Sequence, residues 1–196
     1  MDDLASREKL EFSGTIPTSD QALQILTDLH LRENIVAHSK VVRDIAMKIV
    51  DELKDARELP SINLDVINAA ALLHDIGRTK THGIEHGYIG GLMLRDMGVD
   101  ERVVRCTMTH VLGGFTLDEI KKEFPEKIGN TVNESLIPKT LEEKIVCLAD
   151  KHAIGRFKVP LKKRFGRWFR KHGRTQFLIR ANLRVMKIKR EIESFL

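Results

Sequence analysis

Apolar positions recur at steps of three and four residues along most of the 196-residue chain, and this spacing predicts amphipathic α-helices. Capping patterns mark six predicted helix starts: capping boxes at residues 18–21, 116–119 and 140–143, and the N-cap residues Asn34, Asn63 and Asp100. The strict alternation of apolar and polar residues that is typical of strands does not occur in a convincing run. The chain is therefore expected to be all-α.

One predicted helix ends in an unusual way. An apolar run over residues 70–73 leads directly into His74 and Asp75, and Gly77 is expected to stop the helix. Polar side chains at the end of an apolar run are expensive to bury unless a hydrogen bond, an opposite charge or a metal ion satisfies them. The pair therefore needs a partner from elsewhere in the chain.

Three more histidines and one more aspartate lie on the inward face or at the end of other predicted helices. Any one of them is more often a structural residue than a ligand. Together, imidazoles and carboxylates suit first-row divalent metals, and a carboxylate can bridge two such ions. The six candidate ligands are His38, His74, Asp75, His86, His110 and Asp150.

Length and composition narrow the possible classes. A chain of this size needs only one core, and the charged residues of the first twelve positions argue against a signal peptide. Cys106 and Cys147 have no metal-binding spacing and are expected in the core. No apolar run approaches the length of a membrane span. A cytoplasmic protein without membrane contact is expected.

The net charge of +5 is concentrated in one stretch, residues 156–174, which contains nine Lys or Arg and no acidic residue. Such a stretch is a solvated surface or dimer contact, or it gathers phosphate-rich partners, nucleic acid among them. In the second case, Trp168 with Phe165 or Phe169 is available to stack on a base. A long amphipathic helix is expected after it.

The order of His38, then His74-Asp75, then Asp150 resembles the HD superfamily of metal-dependent phosphohydrolases, and residues 74–77 read as its HDIG variant. The resemblance covers about residues 20–155 and is greatest to symmetrical diadenosine tetraphosphate hydrolases and to small archaeal HDIG proteins. It implies an HD-domain helical bundle over 18–155, after an N-terminal extension over 1–17. The basic segment and the final helix, 156–196, are expected to pack on the same domain.

The resemblance also implies roles for single residues. His38, His74, Asp75 and Asp150 would hold a first metal, and Asp75 would bridge to a second held by His86 and His110. The expected cofactors are one or two divalent ions, whether Fe, Mn, Zn, Co, Ni or Mg. Arg78 replaces the lysine of several phosphodiesterases, and the Gly-Tyr-Pro signature of cyclic-di-nucleotide enzymes is absent, which argues against that substrate.

The expected activity is hydrolysis of a phosphate ester or phosphoanhydride in a nucleotide or related small molecule, with water activated by metal. Asp75, Arg78 and Lys151 are the predicted catalytic residues, and Arg78, Lys80 and Arg156 are predicted to bind substrate. His82 and His152 are expected outside the ligand set. Two alternatives remain open: an HD-type diiron oxygenase, and a nucleotide- or RNA-binding protein whose metal site is structural.

Overall fold

A computed structural model describes residues 14–56 and 60–196, and within them the protein is an all-α bundle with one small sheet. The helices are α1 (Ser19–Asp28), α2 (Glu33–Leu53), α3 (Leu64–Leu73), α4 (His86–Asp96), α5 (Glu101–Thr109), α6 (Leu117–Glu123), α7 (Leu141–Lys151), α8 (Leu161–His172) and α9 (Gln176–Glu193). Strands β1 (Ala153–Ile154) and β2 (Phe157–Lys158) form an antiparallel hairpin between α7 and α8.

Most of the predicted helix starts are confirmed. An N-cap side chain accepts a hydrogen bond from a first-turn N–H group at Thr18, Asn63, Asp100, Thr116 and Thr140. The reciprocal bond of the capping box forms at Thr18 and Thr116. At the third predicted box, the Glu143 carboxylate instead accepts from the Lys139 N–H.

Two predicted boundaries are wrong. α2 begins at Glu33 with Arg32 at the N-cap, so Asn34 lies inside the first turn and does not cap the helix. α3 ends at Leu73, and the chain continues through a 3₁₀ turn, Ile76–Thr79, that contains Gly77. Gly77 has no positive φ and therefore does not end a helix in the left-handed conformation.

The β1–β2 hairpin was missed because each strand is only two residues long, which is too short for alternation to show. Gly155 in its turn has a φ of +54°. The Val159 N–H donates to the His152 carbonyl at 2.7 Å and closes the base of the hairpin. The chain thereby reverses direction between α7 and the basic helix α8.

α3 is the central helix and contacts α1, α2, α5 and α7. Its residues from Ala69 to Leu73 are fully buried, which explains the unbroken apolar run in the sequence. The polar pair that follows it is therefore delivered to the middle of the bundle.

The C-terminal helices are attached to this bundle by packing and by ion pairs. α9 packs on α7, and α8 packs on α9 with Leu161 and Phe165 buried. Glu119 of α6 accepts hydrogen bonds from Arg180 at 2.8 Å and from Arg184 at 2.9 Å. The predicted domain limits 18–155 and 156–196 stay predictions.

At the other end of the chain, the Asp100 N–H donates to the Thr15 carbonyl at 3.1 Å. Residues 1–13 of the predicted N-terminal extension lie outside the described residues. None of the helices in the two described ranges combines the length and the hydrophobicity that crossing a lipid bilayer requires.

Gly77→Ala should lower the free energy of unfolding by about 1–3 kcal/mol, the usual cost of overpacking. The added Cβ would lie 2.0 Å from the His86 carbonyl oxygen and 2.7 Å from the Gly90 nitrogen, both backbone atoms of α4. Gly166→Ala in α8 is the control, because its Cβ would meet only the Arg170 guanidinium at 3.6 Å. This second variant should be more stable by about 0.5–1 kcal/mol. Urea denaturation compares them, and equal shifts would contradict the prediction.

Candidate metal centre

The structure brings the six predicted ligands together from five helices. His38 lies on α2, His74 and Asp75 directly follow α3, His86 begins α4, His110 directly follows α5, and Asp150 lies on α7. All six side chains are buried. Residues far apart in the sequence therefore meet in one polar cluster inside an apolar bundle.

Each histidine of the cluster is oriented by a backbone carbonyl. The distance from Nδ1 to the carbonyl oxygen is 3.2 Å for His38 and Gly155, 2.8 Å for His74 and Ala71, 2.7 Å for His86 and Gly83, and 2.7 Å for His110 and Thr107. Because a carbonyl only accepts hydrogen bonds, Nδ1 carries the proton and donates. Nε2 of each neutral ring then presents its lone pair to the cluster, as in metal-binding histidines.

One half of the cluster consists of His38, His74 and Asp150. Nε2 of His38 lies 3.0 Å from Oδ1 of Asp150, and Nε2 of His74 lies 3.8 Å from the same oxygen. One potential ligand atom from each of the three lies within 4.8 Å of the others. This spacing suits three ligands of one ion.

The other half is arranged around Asp75. Its Oδ1 lies 3.0 Å from Nε2 of His86 and 3.7 Å from Nε2 of His110, while its Oδ2 lies 3.7 Å from Nε2 of His74. His74, Asp75 and His110 form a second group within 4.8 Å. Because His74 belongs to both groups, the two halves adjoin. The bridging role of Asp75 stays a prediction that this geometry supports.

Several acceptor atoms of the cluster have no hydrogen-bond donor among the described residues. Nε2 of His86 and Nε2 of His110 lie 3.2 Å apart although each presents a lone pair. His74 Nε2 and Asp75 Oδ1 are buried without a hydrogen-bond partner among the described residues. A buried acceptor left unsatisfied costs about 1–3 kcal/mol. Divalent cations would satisfy all of these atoms, and imidazole with carboxylate is a donor set that first-row metals accept.

Burial also sets the protonation states that metal binding needs. It lowers the pKa of His74 to about 3 and lowers the pKa of His110, so both rings stay neutral at pH 7. Burial alone would raise the pKa of Asp75, but the neighbouring imidazoles hold it well below the usual range. The same competition, with the Lys151 charge as the main opposing effect, keeps the pKa of Asp150 low. His38 differs: burial lowers its pKa, but the hydrogen bond with Asp150 and the charges of Asp150 and Asp75 together outweigh burial and raise the pKa.

Two of the predicted catalytic cations pair with the candidate ligands. Arg78 Nε donates to Asp75 Oδ2 at 2.8 Å. Lys151 is buried, and its ammonium donates to the Asp150 carboxylate and, at 2.9 Å, to the His110 carbonyl. Lys151 thus contacts the ligands and has no place in the pocket lining. Its catalytic role stays a prediction.

A pocket of about 490 Å³ opens beside the cluster, with His38 and Asp75 in its wall. Among the described residues that line the pocket, Asp75 is the only one with a carboxylate. Five cationic side chains surround it: Arg32, Arg78, Arg164, Arg167 and Lys171. The pocket therefore favours an anionic occupant next to the candidate ligands.

Other predicted residues lie elsewhere. Lys80 and Arg156 are exposed and are not in the pocket lining, so their substrate-binding role stays a prediction. His82 is exposed and lines the pocket. His152 is half-buried, and its Nδ1 lies 3.0 Å from the Val159 carbonyl oxygen.

Sequence reasoning missed two parts of the site. Arg32 was not singled out, and the sequence carries no signal for it beyond its charge. The Gly155 carbonyl that orients His38 belongs to the hairpin, so it could not be found before the hairpin was known.

The fold and the site together define an all-α domain with a candidate divalent-metal centre. Residues 35–155, more than half of the chain, match the family described as "HD domain". The protein belongs to the HD domain family. HD domains bind divalent metals, and membership supports a metal-dependent hydrolase in general.

Several characterised and uncharacterised proteins are similar to this chain. The tRNA (cytidine(56)-2'-O)-methyltransferase of Picrophilus torridus is 34% identical over 179 residues, which is 91% of this chain and 47% of that protein. The uncharacterized protein MJ0778 of Methanocaldococcus jannaschii is 36% identical over 143 residues, 72% of this chain and 79% of that protein. Ribonuclease Y of Rubrobacter xylanophilus is 35% identical over 80 residues, 40% of this chain and 14% of that protein.

The chain thus spans less than half the length of the methyltransferase relative and a small part of ribonuclease Y. No solved structure matches the chain significantly. The site must therefore be interpreted from its own geometry.

Mn²⁺ added to metal-free protein should stabilise the wild type by about 2.7 kcal/mol at a free concentration of 100 times Kd. Asp75→Asn should lose most of this gain, because Asp75 contacts both halves of the cluster. Asp96→Asn, at an exposed residue at the end of α4, is the control and should keep it. Calorimetric titration with thermal melts measures the effect. Unchanged Mn²⁺ binding by Asp75→Asn would contradict the prediction.

The metal-free protein should lose stability as the pH falls from about 6.5 towards 3. In this range an unfolded histidine takes up a proton, whereas the folded His74, with its pKa of about 3, does not. The loss is about 1.4 kcal/mol per pH unit for each such group. The pKa of His38 is raised, so its contribution to stability changes mainly above about pH 6.5. The pKa values of Asp75 and Asp150 are lowered, so both add a further loss of stability as the pH falls below about 4.

Urea denaturation in chelator at several pH values measures this dependence. His82→Gln, at an exposed position, should leave the slope unchanged. A stability that stays constant between pH 7 and 5 would show that the buried imidazoles do not resist protonation.

Proposed function

We propose that the protein is a metal-dependent phosphohydrolase that cleaves a phosphate ester or phosphoanhydride of a nucleotide or a molecule containing nucleotides. The observation that carries the proposal is a cluster of buried, unsatisfied acceptor atoms beside a pocket with five cations. Ligands for metal and cations for phosphate are the two parts that metal-assisted phosphate hydrolysis needs.

The six side chains form two sets of three candidate ligands. His38, His74 and Asp150 would hold one divalent ion, and Asp75 with His86 and His110 would hold a second. When bound, such ions supply Lewis acidity and lower the pKa of water from about 15.7 to about 7. Asp75 offers one oxygen to each half, and the Arg78 bond fixes the orientation of its carboxylate.

The cations of the pocket would bind the phosphate group that reacts. Arg78 is partly exposed and lines the pocket, where its guanidinium can neutralise charge that develops on phosphate oxygens. Arg32 and Arg164 lie in the same wall. A guanidinium fork matches two phosphate oxygens, which an ammonium group does not.

Two kinds of relatives support the inclusion of RNA among the substrates to test. One is named a ribonuclease and the other is named for a tRNA. The chain matches only part of each, so mononucleotides and dinucleoside polyphosphates belong in the same screen. The cytoplasmic location stays a prediction.

Asp75→Asn should lower the rate of hydrolysis at least about a hundredfold, since even residues outside the metal ligands cost 10- to 100-fold. The test screens phosphomonoesters, phosphodiesters, dinucleoside polyphosphates and short RNA with Mn, Fe, Co, Ni and Mg, and then compares the variant on the best substrate. Asp96→Asn is again the control and should keep full activity.

Full turnover by metal-depleted Asp75→Asn would overturn the proposal. Oxygen consumption with iron, in place of phosphate release, would assign the centre to oxygenase chemistry. The expected result is phosphate release without measurable oxygen consumption.

A further inference from the structure

Helix α8, together with Arg174 shortly after it, contributes cations to two different hollows. Arg164, Arg167 and Lys171 follow one another at steps of three and four residues, which places them on one face. All three line the pocket beside the candidate metal centre. We call them the pocket face of α8.

Another set of cations borders a hollow between α8 and α9. Lys162, Arg170 and Arg174 line this hollow together with Phe169 and are absent from the lining of the first pocket. We call these three the outer face. Six of the nine cations in the basic stretch predicted from the sequence thus form two groups of equal charge.

Arg164 extends from the pocket face to the candidate metal ligands. Its Nη2 lies 3.8 Å from Asp150 Oδ1, and its guanidinium lies 4.6 Å above the Trp168 ring. Trp168 packs edge-on against Phe165, which is buried. The tryptophan therefore holds the guanidinium in place beside the ligand. This helix lies beyond residues 35–155, which match the family.

The pocket face is too long for a single phosphate group. Seven residues separate Arg164 from Lys171, which is about 10 Å along a helix axis. Side chains spread over that length can contact more than one phosphate of an extended strand, whereas a nucleoside monophosphate would contact one end only.

We infer that the pocket face of α8 binds the sugar-phosphate backbone of a single nucleic-acid strand. The reacting phosphate lies beside Arg164, and the following phosphates lie along Arg167 and Lys171. A flexible strand suits the pocket because the candidate ligands are buried and the phosphate has to reach them. This inference rests on the proposed function and names the substrate class of the same site.

The other aromatic residues of the helix do not offer a stacking surface in this pocket. Phe165 is buried, and Phe169 lies under the Arg174 guanidinium at 4.9 Å in the outer hollow. The Trp168 ring is already covered by the Arg164 guanidinium. Binding is thus attributed to charge, which predicts a strong dependence on salt.

The test measures the binding of a fluorescent 12-nucleotide single-stranded RNA to the full chain in chelator, by anisotropy at 50 and 200 mM salt. The pocket-face variant is Arg164→Gln/Arg167→Gln/Lys171→Gln. The outer-face variant, Lys162→Gln/Arg170→Gln/Arg174→Gln, removes the same two guanidinium groups and one ammonium group. It is therefore a matched control for net charge.

Each phosphate contact on a single strand contributes about 0.7 to the slope of log affinity against log salt. The pocket-face variant should have a slope that is smaller in magnitude by about 2. Between 50 and 200 mM salt, the affinity of the wild type should therefore fall by a factor about 20 times larger than the affinity of the variant does. The outer-face variant should keep the wild-type slope. Equal losses in both variants, or an unchanged slope in the pocket-face variant, would overturn the inference.

Further ligands identify what the helix binds. Single-stranded DNA of the same sequence should bind as well as RNA if the phosphates alone are recognised, and more weakly if the ribose hydroxyls are contacted too. Both results support a strand. Tighter binding of duplex RNA than of the single strand would overturn the inference. So would an equal loss of affinity for a nucleoside monophosphate and for the strand in the pocket-face variant.

The binding assay needs neither metal nor turnover, so it separates this inference from the proposed function. If Asp75→Asn abolishes hydrolysis while the pocket-face variant binds normally, the proposed function stands and the inference is wrong. If no phosphate ester is hydrolysed but the pocket-face variant has the smaller salt slope, strand binding by α8 is correct and the proposed function is wrong. Arg167→Gln and Lys171→Gln, both at exposed residues, replace the triple variant if it does not fold.

Discussion

The centre depends on four hydrogen bonds that attach histidine Nδ1 atoms to backbone carbonyls. In the neutral rings these bonds fix the tautomer, and in that tautomer the inner nitrogen is an acceptor. Without them, His86 and His110 could share a proton across their 3.2 Å separation, and the cluster would be an ordinary buried hydrogen-bond network. With them, the bundle contains a set of converging lone pairs that need cations or hydrogen-bond donors. The metal hypothesis therefore rests on the backbone as much as on the ligands.

Three of these four bonds are local, because each carbonyl lies three residues before its histidine. The end of α3, the start of α4 and the end of α5 thus orient their own imidazoles. Helix packing then sets the distances between the rings. α4 approaches the turn after α3 so closely that a Cβ on Gly77 would lie 2.0 Å from the His86 carbonyl. Local hydrogen bonds thus orient the imidazole rings, and close helix packing at glycine brings the candidate ligands near one another.

This division explains how much the sequence could predict. Helix faces, most N-caps and the inward positions of His38, His86 and His110 depend on short-range patterns, and the order of the motifs pointed to the HD family that the comparison shows. The carbonyl of Gly155 and the approach of Arg164 to Asp150 depend on how the hairpin reverses the chain, which no periodicity records. Lys80 is absent from the pocket lining for a related reason. It follows Arg78 by two residues, but the intervening 3₁₀ turn ends there and leaves it exposed.

The charges around the centre suggest why a basic helix accompanies it. Asp75 is paired with Arg78, and Asp150 is paired with Lys151 and Arg164, so both carboxylates already have cationic partners in the chain itself. Divalent ions added to this arrangement would leave a surplus of positive charge, which is costly in a buried site. An anion is needed to offset it, and in residues 14–56 and 60–196 the pocket wall has no carboxylate other than that of Asp75. A polyanionic substrate can offset the surplus at the centre and extend along α8 at the same time. The cations that pair with the two carboxylates would thus also favour a phosphate-rich substrate in the metal-bound protein that we propose.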